Sequence, residues 1–125
     1  MSHLDFEELR RRSGVIRAKY HELEVEHHGT HWTVTEDALA FLTDAALVGR
    51  LTMANQNRWP KEVEAGEELM HKLGESIWWL TSLATRMDID IEDAVVNFMA
   101  KTEKVLDIEA GDKIAGSSHS KEAPR

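Results

Sequence analysis

With 125 residues, the chain suffices for one domain around one hydrophobic core and is too short for two. Its 42% hydrophobic and 30% charged content argues against disorder of the whole chain, and the absence of Cys removes disulfides and thiolate metal sites. A formal net charge of -8 leaves no basic face for nucleic acid, and with no charged-then-apolar leader and no apolar run near ~18 residues, a cytoplasmic protein without a membrane partner is expected.

Taken in order, the elements read helical almost throughout. The first segment, about Leu4 to Glu26, places Phe6, Leu9, Ile16, Tyr20 and Leu23 on one stripe, with Gly14 weakening its middle. His27 to His31, with Gly29, reads as the connecting loop. A capping signature, Thr33-Val34-Thr35-Glu36, opens the second helix, whose body from Ala38 to Ala54 is apolar on nearly every side. Asn55 to Trp59 is the next break, and Pro60 fits the first turn of a third helix. That helix starts acidic (Glu62, Glu64, Glu67, Glu68) and becomes apolar from Leu69 to Met87. A fourth starts after Asp90, a plausible cap, and stripes Ile91, Ala94, Val95, Phe98, Met99 and Val105. The expected organisation is one all-α domain over residues 1–109, a four-helix bundle, followed by a disordered tail over 110–125. A helix apolar on all sides is not covered by three neighbours, so homodimerisation is the economical way to complete the bundle.

Two acidic residues stand out because packing alone does not account for them. Asp44 lies among Leu42, Ala45 and Leu47, and Glu75 among Leu73, Ile77, Trp78 and Trp79. A carboxylate carried inside needs a partner, a metal or a raised pKa. The short connection favours antiparallel packing of the second and third helices, which brings Asp44 and Glu75 toward one another. Facing carboxylates on two helices are how bundles hold hard divalent cations, and Mg²⁺ takes its remaining ligands from water and phosphate.

The run "EDALAFLTDAALVGRLTMA" and the later "LMHKLGESIWWLTSLATRMDIDIEDAVVNFMAKTEKVL" resemble the MazG-like, all-α nucleotide pyrophosphohydrolases over roughly Trp32 to Leu106. The most specific part is the Trp-rich helix and the "GIDLEEA"-like Asp88-Ile89-Asp90-Ile91-Glu92-Asp93-Ala94. The resemblance implies dimers or tetramers of such helices that hydrolyse a nucleoside triphosphate to the monophosphate and pyrophosphate with Mg²⁺ (or Mn²⁺). The family's metal site is a Glu-x-x-Glu pair on one helix and a Glu-x-x-Asp pair on the next. Here the first pair falls on Asp44 and Leu47, and the second on Lys72 and Glu75, so one acid of each pair is kept. By resemblance, Asp44 and Glu75 hold the metal, with Glu68 or Asp37 as a source of a missing ligand. Lys72 or Lys101 then offsets phosphate charge. The other expectation is that the Lys72 ammonium neutralises both carboxylates as a metal would, which leaves a non-catalytic nucleotide-binding or dimerisation module.

Further candidates have simpler readings beside them. Trp59, next to Arg58 and Pro60, is a loop indole able to stack on a nucleobase. Trp78 and Trp79 point about 100° apart on a helix, one toward the core and one toward a cleft or interface. His27 and His31 have a spacing that would suit a transition metal on a helix, but a solvated turn is the simpler account. His71, beside Lys72, reads as a surface residue or a general base.

Overall fold

The computed structural model describes residues 3–60, 65–109 and 111–112, and every regular element among them is a helix. The helices are α1 (Phe6–His28), α2 (Val34–Asn55), α3 (Ala65–Arg86) and α4 (Ile91–Val105). The expectations for Glu62, Glu64 and the tail beyond 112 fall outside the described residues.

Local chemistry sets the ends. Asp5 caps α1 by accepting from the Glu8 amide at 2.8 Å. The capping box of α2 forms in both directions: the Glu36 amide donates to Thr33 Oγ1 at 3.1 Å and the Thr33 amide to Glu36 Oε1 at 2.8 Å. α1 runs further than the sequence suggests. His27 and His28 belong to its last turn, beside the negative end of the helix dipole, and the chain leaves the helix only at Gly29, where φ is 86°. α2, α3 and α4 end alike: Asn57, Asp88 and Asp107 take φ of 63°, 62° and 61°. In each, the next amide reaches back five residues (Arg58 to Met53, Ile89 to Ala84, Ile108 to Glu103), closing a Schellman motif.

The packing divides into two compact units, Met1–Ile91 and Glu92–Arg125. In the first, α3 packs against both α2 and α1. Asp44 meets Lys72 and Asp37 meets Arg86, so α2 and α3 run antiparallel, as the short connection implies. The second unit contains nearly all of α4. None of the apolar residues expected to form its inward stripe is fully buried, and Phe98, Met99 and Val105 are exposed.

The inward face of α1 differs from the expected one. Ile16, Tyr20 and Leu23 are exposed, whereas Ser13 and Arg17 are buried and His21 and Glu24 are half-buried. The buried stripe steps Ser13, Arg17, His21, Glu24 at helical spacing and is polar, because α2 and α3 offer it an acid and hydrogen-bonding groups. The apolar core is correspondingly small, with Ala54, Ala65, Trp79, Leu83 and Ala84 as its buried members among the described residues. α2 uses only one of its apolar faces: Leu42 is 62% exposed, and Leu39, Leu47 and Met53 are also open.

Candidate functional site

Asp44 and Glu75 do come together, and Lys72 lies between them. Its Nζ donates to Asp44 Oδ1 at 3.0 Å and to Glu75 Oε1 at 2.9 Å. The helical repeat explains the arrangement: Lys72 and Glu75 are three residues apart on one face of α3, opposite the middle of α2. Trp79, two turns along α3 from Lys72, donates its indole Nε1–H to Asp44 Oδ2 at 2.8 Å. Both oxygens of Asp44 are thus engaged. Burial acts to raise the Asp44 pKa, but the hydrogen bonds from Lys72 and Trp79 outweigh it and hold the carboxyl below the usual aspartate range. The bonds to Glu75 and Asp44 in turn hold the Lys72 ammonium above its ordinary value. Side-chain exposures of 25% for Lys72 and 27% for Glu75 keep the cluster in partial contact with water.

A second ionic cluster, which sequence reasoning missed, is more deeply buried. Asp37 has no exposed surface. Arg17 grips it in bidentate fashion, Nη2 to Oδ1 at 2.7 Å and Nε to Oδ2 at 3.1 Å, and Arg86 Nη1 adds a bond to Oδ2 at 2.8 Å. Glu24 completes it, accepting from Arg17 Nη1 at 2.9 Å and from the Trp32 amide at 2.8 Å. Burial opposes ionisation of Glu24, but the Trp32 amide and Arg17 overcome it and lower its pKa. Asp37 is therefore a member of an arginine cluster and not a neighbour of Asp44 that could supply a missing metal ligand. The available signal was the stripe Ser13, Arg17, His21, Glu24, whose spacing is as regular as that of any apolar face.

The remaining candidates take no part in the hydrogen bonds of Lys72. Glu68 is exposed and makes no hydrogen bond to Asp44, Lys72 or Glu75 among the described residues. His71 is exposed, with Nε2 3.7 Å from Glu75 Oε1. The Trp59 ring, in the turn that follows α2, is covered by the Arg50 guanidinium at 3.9 Å from its centroid. Lys101 is on α4, in the second unit. His31 packs against His21, with ring centroids 4.5 Å apart, and His27 neighbours His28 on α1. No group of three or more His, Asp or Glu side chains gathers to hold a metal among the described residues.

The aromatic residues divide as expected. Trp79 is core, while Trp78 lies at 5.8 Å from Tyr20 and lines an open groove of about 380 Å³ with Ile16, Met70, His71 and Glu75. Glu75 thus faces both its ammonium and an aromatic-walled groove. Comparison of the chain with known protein families, with curated proteins and with solved structures gives no match.

Proposed function

We propose that the chain is a non-hydrolytic, self-associating helical module on a MazG-like scaffold, with the Lys72 ammonium where that family holds Mg²⁺. The observation that carries this reading is the position of Nζ, within 3.0 Å of one carboxylate oxygen on each of two helices. A divalent ion entering here has to displace a salt-bridged ammonium, and it gains only two carboxylates, one of them already committed to an indole. Self-association is supported by the apolar side chains that α2 and α3 leave open, with Met70 70%, Leu42 62% and Ile77 56% exposed. A second copy covers such faces with the residues this chain already has.

A hydrolase remains the competing reading, favoured by the groove that Glu75 shares with Tyr20 and Trp78. In it, Asp44 and Glu75 hold Mg²⁺ or Mn²⁺, and Lys72, Lys101 and Trp59 serve a nucleoside triphosphate. Two measurements separate the readings. Pyrophosphate release is assayed over a panel of nucleoside triphosphates with Mg²⁺ and Mn²⁺, and mass in solution is followed by light scattering across a dilution series. The module reading expects a dimer and no release above blank. Release that disappears in Asp44→Ala establishes the hydrolase instead, and a monomer at every concentration removes self-association.

A further inference from the structure

A cleft of about 310 Å³ between α1, α3 and the loop before α2 gathers most of the chain's polar-tipped aromatic side chains. Three of the four tryptophans, Trp32, Trp78 and Trp79, and the single tyrosine, Tyr20, line it. Helical spacing builds two of its sides: Arg17, Tyr20 and Glu24 share one stripe of α1, and Glu75, Trp78 and Trp79 one stripe of α3. Trp32 comes from the loop, held by its amide donating to Glu24 at 2.8 Å and its carbonyl accepting from Arg86 at 3.0 Å. The Trp78 ring centroid is 5.8 Å from Tyr20 and 4.7 Å from Trp79, with tilts of 57° and 56°. Rings inclined in this way form corners and not a flat stack.

Two indole N–H groups are committed elsewhere, Trp78 Nε1 to the Ser13 carbonyl at 3.4 Å and Trp79 Nε1 to Asp44 at 2.8 Å. What these rings offer the cleft is carbon surface, whose π faces carry the negative part of the ring quadrupole. One such face already seats a cation: the Arg17 guanidinium lies 5.5 Å from the Trp79 centroid. Among the described residues the charged groups of the wall are Glu24, Glu75 and Arg17, so acids outnumber bases. The surplus is not cancelled behind the wall. Arg17 and Arg86 match Asp37 and Glu24 one for one, whereas the single ammonium of Lys72 serves both Asp44 and Glu75. The acceptors then select the kind of cation. Both Glu24 oxygens are taken, by Arg17 and the Trp32 amide, and Glu75 Oε1 accepts from Lys72. A primary ammonium brings three donors and a tightly held hydration shell, and against ring carbon it would leave those donors unmatched. An N-methylated ammonium keeps the charge and carries methyl groups in place of the donors.

We propose that this cleft binds an N-methylated ammonium ion, with Tyr20, Trp32 and Trp78 as aromatic walls and Glu75 and Glu24 as the source of negative field. Its volume stands at the lower end of the roughly 300–1,000 Å³ found for small-molecule sites, which suits a compact cation. The cleft is separate from the surface that supports self-association, since Leu42, Met70 and Ile77 do not line it. Ligand binding and assembly are therefore independent properties, and failure of one leaves the other standing.

Choline is the probe, and 3,3-dimethylbutan-1-ol, which has carbon in place of the ammonium nitrogen, is its neutral control. Binding is read by calorimetry and by the ligand methyl proton resonances at constant ionic strength. The expected result is saturable millimolar binding of choline with an upfield ring-current shift of its methyl protons. The neutral control should bind at least about tenfold more weakly, and ammonium chloride should not compete. Tyr20 is 49% exposed, so Tyr20→Leu removes a ring without opening the core. That change should weaken choline about fivefold with helical content unchanged, while Tyr20→Phe, which keeps the ring, retains binding. Glu75→Gln should weaken choline and leave the affinity of the neutral control as it was, an outcome that a purely structural role for Glu75 does not give. Tighter binding of a trimethyllysine peptide than of choline assigns the cation to a modified protein side chain; the reverse order assigns it to a free small molecule. No saturable binding, equal affinity for choline and its neutral control, or full choline binding by both Tyr20→Leu and Glu75→Gln overturns the proposal.

Discussion

Asp37 and Asp44 lie two turns apart on one face of α2, yet they end in different surroundings. Asp37 is fully enclosed and is held by two guanidiniums, one of them bidentate. Asp44 keeps 14% of its side chain exposed and shares one ammonium with Glu75 while accepting an indole N–H. A carboxylate removed from water needs directional partners for both oxygens, and the planar fork of arginine supplies two at fixed geometry. An ammonium is a compact point charge that also demands hydration, and it serves where water still reaches. The depth of each acid thus matches the chemistry of its cation.

The largest test of this contrast is Asp37→Ala. It leaves Arg17, itself buried, without its main partner, and about 3–5 kcal/mol of stability should be lost in urea denaturation. Lys72→Met should cost far less, about 1 kcal/mol, since its cluster is a quarter exposed and Trp79 still serves Asp44. Equal losses would break the comparison.

Smaller effects follow from titration. The folded-state pKa of Lys72 is raised, so its contribution is complete below the ordinary lysine value of about 10.4 and disappears as pH rises through the folded value. Arg17 is raised from an already higher value and stays charged. An alkaline stability profile should therefore show a decline that Lys72→Arg removes. At the acid side the folded pKa of His21 is lowered, so below about 6.5 the unfolded chain takes up a proton that the folded chain refuses. Stability should fall slightly there, before Asp44 and Glu24 lose theirs at more acid pH, and His21→Gln should flatten that first step.

Much of this was legible in the residues. The capping box at Thr33, the break at Asn55 and the antiparallel meeting of Asp44 with Lys72 and Glu75 are local or nearest-neighbour consequences of sequence. What failed was the assumption that the inward face of a helix is its apolar one. Ile16, Tyr20 and Leu23 attracted attention by hydrophobicity, whereas α1 docks through Ser13 and Arg17. The partners of Arg17 and Arg86 come from three separate stretches of chain, and no periodicity within one stretch encodes such a meeting. The family resemblance pointed to the carboxylates that a metal would use. It offered Asp37 as a spare metal ligand and gave no indication of the two arginines that hold it.

Trp79 connects the two clusters. Its indole N–H is bonded to Asp44, and the Arg17 guanidinium sits 5.5 Å from its ring centroid. One rigid side chain thus touches both clusters. The energetic corollary is epistasis: damage to one cluster shifts the ring on which the other leans, so losses from Asp37→Ala and Lys72→Met will not sum in a double variant.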